Sequence, residues 1–558
     1  MTTALPRNSD PTSRLSRSLT FGTLIVAALA LSACGGGDDE DPNTVATLPS
    51  VADNLSVNPT GICSMTGIGA TKLTADATVT ILDVSTGTTG SAATDKPYCL
   101  VKVKVDPQVN IWVAMPTAAW NGRFRSEGGG VYAGSVGVAA DSVRQGFVGV
   151  QTDTGHAGSF LSGAFGMLSP GVANKQLQTD FAHRSEHLMA VVGKQLVRAY
   201  YGQDPVRSYW YGCSTGGRQG LMMAQRYPDD YDAILAGAPA IHWDRFQAYQ
   251  IWPQVVMRQE VGAPVSPAKL ALATQKAVAS CDAADGVADG VIDDPRNCAY
   301  DPTKDASITT SACTSSSGSC LTPGEATAIQ KTWGGARNTA GTLLWPGLER
   351  GTALNAMAGA MPFPIPIEQA RYWVYLDPTW DWTTLTYANY EAFFNKNVEM
   401  VGPVMATDNP DLSKFRARGG KVIMYHGWAD PLIMPQGTTK YWDSVKQTLT
   451  SANVPVDFAK LYMASGMSHC SGGDGPNQFG QGSSGVVAAD PKHDIFRALM
   501  AWSEKGTEPQ EIVATKFTND DPTQAVARTR PLCAYPQVAR YKGSGSTDNA
   551  ANFACLNP

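Results

Sequence analysis

Charged residues are scarce in this sequence, and they form no long basic run. Asp, Glu, Lys and Arg together make up 16% of the 558 residues, and the net charge is −6. No segment interleaves basic with aromatic side chains, as a surface that binds nucleic acid does. We therefore expect no nucleic acid partner. Hydrophobic residues make up 43%, a fraction that excludes a disordered chain and is typical of a packed globular protein.

Long hydrophobic runs are also absent, apart from one near the N-terminus. This run covers about residues 19–31, follows Arg14 and Arg17, and is short for a membrane-spanning helix. Basic residues, an apolar stretch and then small residues are typical of a secretory signal. The letters LSAC that end at Cys34 resemble a bacterial lipobox, which predicts a lipoprotein signal over residues 1–34 and lipidation of Cys34. The alternative is a plain signal peptide with a chance cysteine.

The segment after the expected lipidation site is rich in Gly, Asp and Glu, so we expect residues 35–59 to be a flexible tether. Gly35, rather than an aspartate, fits an outer-membrane lipoprotein. These features predict an exported protein that is periplasmic, anchored to the outer membrane or extracellular. A membrane would be a partner only through the lipid.

Zinc motifs are missing as well, although the sequence has 11 cysteines. No Cys-x-x-Cys pair or histidine-rich cluster supports a zinc site. Without Cys34 ten cysteines remain, and an even number in an oxidising compartment predicts disulfides. Sequence alone does not fix the connectivity. Nearness along the chain suggests four pairs and leaves two distant cysteines: Cys63–Cys99, Cys281–Cys298, Cys313–Cys320 and Cys533–Cys555, with Cys213 and Cys470 left over.

The chain is too long for one ordinary core, and its pattern divides it into a repeating part and an insertion. Strand-like segments such as SYWYG and KVIMYHG alternate with helix-like segments such as residues 176–202. This alternation predicts the α/β class, with a parallel sheet covered on both faces. We expect a catalytic domain over residues 60–240 and 406–558. Residues 241–405 hold four of the ten cysteines and show helical periodicity only near 268–280, which predicts an inserted subdomain.

A serine at the end of one predicted strand fits the nucleophile motif of a hydrolase. The letters GCSTG, residues 212–216, match G-x-S-x-G between a predicted strand and a predicted helix. In this setting the hydroxyl of Ser214 projects above the sheet, and the next backbone N–H lies where an oxyanion would form. The alternative is a tight turn with a buried serine.

A serine nucleophile needs a histidine base, which a carboxylate orients. Among the seven histidines, His469 follows a predicted strand in a loop, and Asp430 follows the preceding strand. The order Ser214, Asp430, His469 is that of α/β hydrolases. His426 precedes Asp430 too closely to be its expected partner, and His493 begins a predicted helix.

Two cysteines flank the candidate nucleophile and base. If Ser214 and His469 meet, Cys213 and Cys470 come within disulfide reach, because such a bond needs Cα atoms roughly 4.4–6.8 Å apart. The bond would hold the reacting groups in register. The alternative, Cys213 as a nucleophilic thiolate, is weaker because the cysteine is off the centre of the motif.

Four motifs together resemble the tannase and feruloyl esterase family over about residues 60–558. They are GCSTGGRQG, HGWADPLI, GMSHCSGG and RTRPLCAYPQVARYKGSG. The resemblance implies a serine esterase with an α/β-hydrolase core and a lid domain. It implies a triad, five disulfides that include the Cys213–Cys470 bond, and an oxyanion hole: Ser214, Asp430 and His469 for the triad, and the backbone N–H of Thr215 with that of Gly130 or Val131 for the hole. Val131 departs from the glycine expected at its position.

An acidic loop in the insertion is the candidate metal site. In CDAADGVADGVIDD, residues 281–294, aspartates alternate with turn glycines, which suits a hard cation with oxygen ligands but not the spacing of an EF-hand. The resemblance implies a structural Ca²⁺ in the lid and no organic cofactor. Its ligands would be the side chains of Asp282, Asp285 and Asp289 and the carbonyls of Val287 and Val291. The alternative is a solvated acidic turn.

Members of this family hydrolyse esters of aromatic acids such as gallate, ferulate or terephthalate, and the lid is expected to supply the acyl pocket. Candidate pocket residues are Arg371, Trp373 and Trp380, with Trp382 nearby, although each could be a packing residue instead. The expected partner is a small aromatic ester. The alternative with the same catalytic residues is hydrolysis of a terephthalate or phthalate monoester. A lipoprotein that binds aromatic compounds or glycans without catalysis is the alternative of another class.

Overall fold

The computed structural model describes residues 44–92, 94–481 and 485–558. The expected signal peptide, the lipidation site Cys34 and the first part of the expected tether lie outside these residues. The described residues all belong to one compact unit. Within them, no helix has both the length and the apolar character needed to cross a membrane.

A nine-stranded mixed sheet forms the centre of the fold. In chain order its strands are β1 (Val79–Thr88), β2 (Pro97–Val105), β3 (Val109–Pro116), β4 (Arg123–Glu127), β5 (Val148–Thr152), β6 (Arg207–Cys213), β7 (Ala233–Gly237), β8 (Lys421–Gly427) and β9 (Ala459–Ala464). Across the sheet they follow the order β1-β2-β3-β5-β4-β6-β7-β8-β9. Pairs as far as β3–β5 are antiparallel, and every later pair is parallel. The predicted α/β-hydrolase fold is confirmed.

Burial along the strands follows their places in the sheet. In β2, near one edge, Val101, Val103 and Val105 are buried, whereas Lys102 and Lys104 between them remain partly exposed. In β7, in the parallel part, every residue is buried, because helices cover both faces of such a sheet.

Helices join the parallel strands and fill the insertion. The longer ones are α1 (Ser185–Tyr201), α2 (Thr215–Arg226), α3 (Trp243–Tyr249), α4 (Trp252–Glu260), α5 (Pro267–Cys281), α6 (Pro323–Trp333), α7 (Tyr390–Met405), α8 (Pro435–Ser451) and α9 (Ile495–Lys505). Short helices span Ala140–Arg144, Lys175–Thr179, Pro364–Gln369 and Ser413–Ala417. A π turn over Asp180–Arg184 leads into α1, which ends where Gly202 adopts a φ of +74°.

Four two-stranded sheets complete the fold. They pair Met167–Ser169 with Val172–Ala173, Ala336–Arg337 with Leu343–Trp345, Glu511–Phe517 with Val526–Cys533, and Val538–Tyr541 with Phe553–Leu556. The sequence analysis identified none of these pairs. Three of them are formed by strands of two to four residues, which are too short for a periodic pattern.

Residues 241–405 are mainly helical, whereas the sequence predicted a helix only near 268–280, where α5 lies. Some of the remaining helices escaped detection because most of their residues are buried. In α3 and α4, for example, Trp243, Phe246, Trp252 and Val255 are all buried in one core with Trp373. Such helices lack the polar face that makes helical periodicity visible in a sequence.

Five disulfides form, and they are the five expected pairs. Each has its Cα atoms 5.4–6.0 Å apart, within the range of ordinary disulfides. Four join cysteines that lie 7–36 residues apart in the sequence. The fifth, Cys213–Cys470, joins residues separated by 257 positions and brings the end of β6 to the loop after β9.

Candidate active site

Ser214 lies in the sharp turn between β6 and α2. Its φ of 64° and ψ of −123° belong to a conformation that L-residues rarely adopt. Backbone hydrogen bonds hold the turn on both sides: Ser214 N donates to Gly237 O at 2.9 Å, and Ala240 N donates to Ser214 O at 3.2 Å. Such a turn lifts a side chain above the edge of the sheet, as the nucleophile elbow requires.

Glycines make this turn possible because neighbouring backbones touch it. A Cβ atom on Gly212 would lie 2.5 Å from the carbonyl carbon and oxygen of Gly216. One on Gly217 would lie 2.3 Å from Gly237 O, and one on Gly128 would lie 2.6 Å from the Cα of Gly216. The glycines around the serine therefore permit three segments to pack backbone against backbone.

Asp430 follows β8 and is fully buried, with all of its acceptor capacity in use. Its Oδ1 accepts from the backbone N–H groups of Leu432 and Ile433 at 2.8 and 3.0 Å. Its Oδ2 accepts from His469 Nδ1 at 2.7 Å and from His426 Nε2 at 3.0 Å. Burial by itself would raise the pKa of this carboxyl, but the two imidazoles outweigh burial and hold the pKa well below its ordinary value. Asp430 is thus an ionised acceptor at neutral pH.

The bond to Asp430 fixes the proton position on His469. A carboxylate only accepts, so Nδ1 of His469 carries the hydrogen of the 2.7 Å bond. In the neutral imidazole Nε2 is then the acceptor, which is the state a general base needs. The side chain of His469 is 18% exposed, so this imidazole lies at the border between the core and the solvent.

The Cys213–Cys470 disulfide connects the residues next to Ser214 and His469, with Cα atoms 6.0 Å apart. Cys470 itself has a φ of 63°, so the chain turns sharply after the histidine. The described residues include no hydrogen-bond partner for Ser214 Oγ, and bonds of this kind often form only when substrate binds. The disulfide nevertheless fixes the two loops that carry the expected nucleophile and base.

His426 corrects one sequence expectation. We expected it to be too close to Asp430 in the chain to be a partner, yet its Nε2 lies 3.0 Å from Asp430 Oδ2. The chain turns back directly after β8, so that residues four apart face each other across the loop. The other nitrogen, Nδ1, lies 2.8 Å from Thr438 Oγ1. Asp430 therefore lies between two imidazoles.

The glycine-rich loop after β4 approaches the N-terminus of α2, where the first N–H groups have no partner within the helix. Thr215 Oγ1 donates to Val131 O at 2.7 Å, which joins the two expected donors of the oxyanion hole. A Cβ on Gly130 would meet nothing within 4 Å, so the loop faces open space there. Val131 has a φ of 53°, a conformation that explains why glycine was expected at this position.

An aromatic cluster lies beside this loop, and the sequence analysis missed most of it. Tyr132 directly follows Val131, and its ring centroid lies 5.7–6.3 Å from those of Phe165, Phe181, Trp243 and Trp373. Trp373 was an expected pocket residue, and its Nε1 also donates to Gly163 O at 2.9 Å. The signal that could have identified Tyr132 is its position directly after the glycine run.

The other expected pocket residues contact one another within residues 371–393. Arg371 Nε donates to Trp380 O at 3.2 Å, and Trp380 stacks on Tyr375 and Phe393 at 5.2 and 5.6 Å. Trp382 is buried in the same core. Of the expected pocket side chains, Trp373 is thus the one that the structure brings into contact with the aromatic residue after the oxyanion loop.

The acidic loop is held by its own backbone and by two arginines. Asp282 accepts from Asp289 N and Gly290 N, while Asp289 pairs with Arg528 at 2.8 Å and with Arg530. In the part of the chain that the structure describes, no three acidic, histidine or cysteine side chains converge so that they could hold a metal ion. The oxygen donors of this loop suit Ca²⁺ chemically.

Comparison with known proteins points in the same direction as this geometry. The family model of tannase and feruloyl esterase matches residues 97–364 and 366–556. A probable feruloyl esterase of Arthroderma benhamiae is 34% identical over 464 residues, or 80% of this chain and 82% of its own. The mono(2-hydroxyethyl) terephthalate hydrolase of Piscinibacter sakaiensis is 32% identical over 522 residues, or 81% and 82% of the two chains. The crystal structure of feruloyl esterase B from Aspergillus oryzae covers 87% of this chain and 98% of its own, with 28% identity and a TM-score of 0.76.

Proposed function

Since the chain belongs to the tannase and feruloyl esterase family, we propose that it is a serine esterase that hydrolyses esters of aromatic carboxylic acids. One observation carries this proposal: a disulfide joins the residue before the elbow serine to the residue after His469, whose Nδ1 hydrogen bonds to a buried carboxylate. The roles are Ser214 as nucleophile, His469 as base and Asp430 as the acid that orients it.

The proposed reaction has two halves. Ser214 Oγ attacks the ester carbonyl carbon while His469 Nε2 accepts the hydroxyl proton. The N–H groups of Thr215 and of Gly130 or Val131 stabilise the negative oxygen. The bond to the alcohol oxygen then breaks, His469 gives this oxygen the proton, and an acyl-enzyme remains. Water, deprotonated by His469, releases the aromatic acid and restores Ser214.

The aromatic acyl group is proposed to bind near Tyr132 and Trp373. Tyr132 directly follows the loop that would hold the oxyanion and packs against Trp373. Both side chains are buried, so they would support the wall of the acyl site from behind. Hydrolysis of a terephthalate monoester is the second candidate, favoured by the relative of that name. It rests on the same residues and differs only in the acid that is bound.

A panel assay tests this function. Wild type and Ser214→Ala would be compared on methyl ferulate, methyl gallate, tannic acid and a terephthalate monoester, with fluorophosphonate labelling in parallel. We expect hydrolysis and labelling by wild type and neither by the variant. A protein that binds aromatic compounds without catalysis would leave every ester intact and would not be labelled. Activity of Ser214→Ala would contradict the mechanism.

We also propose a structural Ca²⁺ site in the acidic loop. Burial and the neighbouring carboxyl of Asp285 raise the pKa of Asp293 well above its ordinary value, and a divalent cation would relieve this crowding of acids. The ligands would be those named from the sequence: the side chains of Asp282, Asp285 and Asp289 and the carbonyls of Val287 and Val291. Adding Ca²⁺ to protein treated with a chelator should raise the midpoint of thermal unfolding. An unchanged midpoint would contradict the site.

Export and domain organisation complete the proposal. We propose that residues 1–34 direct export and that Cys34 is lipidated, a reading that five disulfides support because such bonds persist in oxidising compartments. We also propose that residues 241–405 act as a lid on the catalytic domain formed by 60–240 and 406–558. Mass spectrometry of the mature N-terminus in a native host would test the anchor, since a free Cys34 would contradict it.

A further inference from the structure

A buried glutamine links the nucleophile helix to the glycine-rich loop, and the reaction described above makes no use of it. Gln219 lies five residues after Ser214 on α2, and its side chain is almost fully buried. Its Oε1 accepts from the backbone N–H of Gly129 at 3.0 Å. Its Nε2 donates to Oε1 of Glu186, on α1. One side-chain amide thus connects the helix that follows the nucleophile, the loop and a second helix.

Glu186 fixes which way this amide points. A carboxyl group at that position accepts the amide hydrogen, so the NH2 end of Gln219 faces Glu186 and the oxygen end must face Gly129. Glu186 is completely buried, and its other oxygen accepts from Ser185 Oγ at 3.1 Å. Burial raises the pKa of Glu186 to about 7, while the nearby guanidinium of Arg218 opposes that rise. Burying a carboxyl group in this core costs free energy, whether the group is charged or protonated. An apolar side chain would fill the same space without that cost.

Besides its backbone hydrogen bonds, the loop is held by two side-chain hydrogen bonds, with the expected oxyanion donors between them. Gln219 holds Gly129 at one point, and Thr215 Oγ1 holds the carbonyl of Val131 at the other. Gly128 is pressed so closely on α2 that a Cβ atom there would lie 2.6 Å from Gly216 Cα. Loss of either hydrogen bond would let the N–H groups of residues 130 and 131 move relative to Ser214.

We propose that Gln219 is the positioning residue of the oxyanion hole and that Glu186 holds it in the required orientation. This role rests on the proposed esterase function. Gln219 would contact neither substrate nor reacting atoms, so its effect should appear only where negative charge develops on the carbonyl oxygen. Ground-state binding should change little, because the loop backbone contacts the oxyanion more closely than the planar ester.

The test compares Gln219→Met with wild type in kcat, KM and inhibition by an arylboronic acid, which forms a tetrahedral adduct on a serine. Removing a direct oxyanion donor costs about 10²–10³-fold in kcat, and a residue that acts through the loop should cost about 10–100-fold. We expect that loss in kcat, an equal rise in the boronate inhibition constant, and a KM within about threefold of wild type. Glu186→Gln keeps an oxygen that can accept from Gln219 and should retain most of kcat.

A matched control is Gln254→Met. Gln254 is also buried and donates to the backbone carbonyls of Met357, Gly359 and Met361. We expect a similar loss of thermal stability and an unchanged kcat. If Gln219→Met does not fold, Gln219→Asn, which is one methylene too short to reach both partners, should show the same pattern.

Three outcomes separate the hypotheses. Wild-type protein that neither hydrolyses aromatic esters nor binds the boronate would overturn the proposed function. Active wild type with an unchanged kcat and boronate constant in folded Gln219→Met or Gln219→Asn would overturn the positioning role alone. An equal loss of kcat in Gln254→Met would also overturn it, because general loosening of the core would then explain the effect.

Discussion

The substitution Asp430→Asn tests the proposed acid sharply, because the surroundings of Asp430 leave the new amide only one orientation. Oδ1 accepts from the backbone N–H groups of Leu432 and Ile433, and Oδ2 accepts from His469 and His426. A backbone N–H can only donate, so an asparagine must keep its oxygen at the Oδ1 position. Its NH2 group then faces the two imidazoles.

This orientation moves the proton on His469 to the wrong nitrogen. Nδ1 must accept from the amide, so the neutral ring carries its hydrogen on Nε2 and cannot take the proton of Ser214. We expect kcat to fall by about 10⁴-fold, as it does when a triad histidine is held in the wrong tautomer. His426 can adapt, because its Nδ1 can donate to Thr438 Oγ1. The free energy of unfolding should therefore fall by only about 1–2 kcal/mol.

Steady-state hydrolysis of an aromatic ester and urea unfolding measure the two effects separately. The matched control is Asp408→Asn, since Asp408 also pairs with a histidine: its Oδ2 lies 3.3 Å from His242 Nδ1 and 3.0 Å from Arg245. This control should keep its full kcat. A folded Asp430→Asn enzyme with kcat within tenfold of wild type would refute the assignment of Asp430 as the acid.

Three further perturbations have expected outcomes. Replacing Cys213 and Cys470 by alanine should lower the free energy of unfolding by about 3–5 kcal/mol, because the bond closes a long loop, and should lower kcat at least tenfold in steady-state assays. Gly128→Ala places a Cβ against the backbone of Gly216, so we expect a stability loss of about 1–3 kcal/mol in thermal unfolding and a lower kcat. Burial lowers the pKa of His156 to about 4, so below pH 6.5 the unfolded chain binds a proton that the native ring does not. Stability should fall from about pH 6.5 to about 4, and His156→Phe should reduce that loss by on the order of 2–3 kcal/mol in urea titrations.

The disulfide and glycine predictions each have a control within the same chain. Removing Cys313–Cys320, whose cysteines are 7 residues apart, should leave kcat unchanged. Gly359→Ala should be tolerated, because a Cβ there would make only ordinary contacts at 3.6 and 3.7 Å. Loss of kcat without the short disulfide, full activity of Gly128→Ala, or an unchanged pH profile of His156→Phe would each contradict the corresponding argument.

The sequence predicted those parts of the fold in which local pattern and tertiary environment agree. Strands β6 to β9 are apolar runs between turn residues, and α9 is an amphipathic helix. The helices α3 and α4 were missed because the insertion buries them on nearly all sides. Helical periodicity in a sequence reflects the difference between a solvent-exposed face and a buried face. A helix without an exposed face therefore shows no helical periodicity.

Within the candidate site, sequence motifs identified the groups proposed to react but not the group proposed to position them. Ser214, Asp430 and His469 were chosen because nucleophile, acid and base follow a known chain order. Gln219 has no such signature, because its role depends on a loop 90 residues earlier and a glutamate 33 residues earlier. His426 was set aside on chain distance, which is a poor guide where the backbone reverses after a strand.

Val131 combines an unfavourable local conformation with a stabilising contact from a distant part of the chain. A β-branched residue at a φ of 53° is strained, by about 1–3 kcal/mol, and local preference would place glycine there. The neighbouring Thr215 offsets part of this strain, because its hydroxyl donates to the carbonyl of Val131 at 2.7 Å. Thr215 would thus supply one oxyanion donor through its own N–H and hold the segment that supplies the other. Strain of this kind persists only where the surrounding contacts hold the backbone firmly in place. Here those contacts come from α2, the helix that follows Ser214.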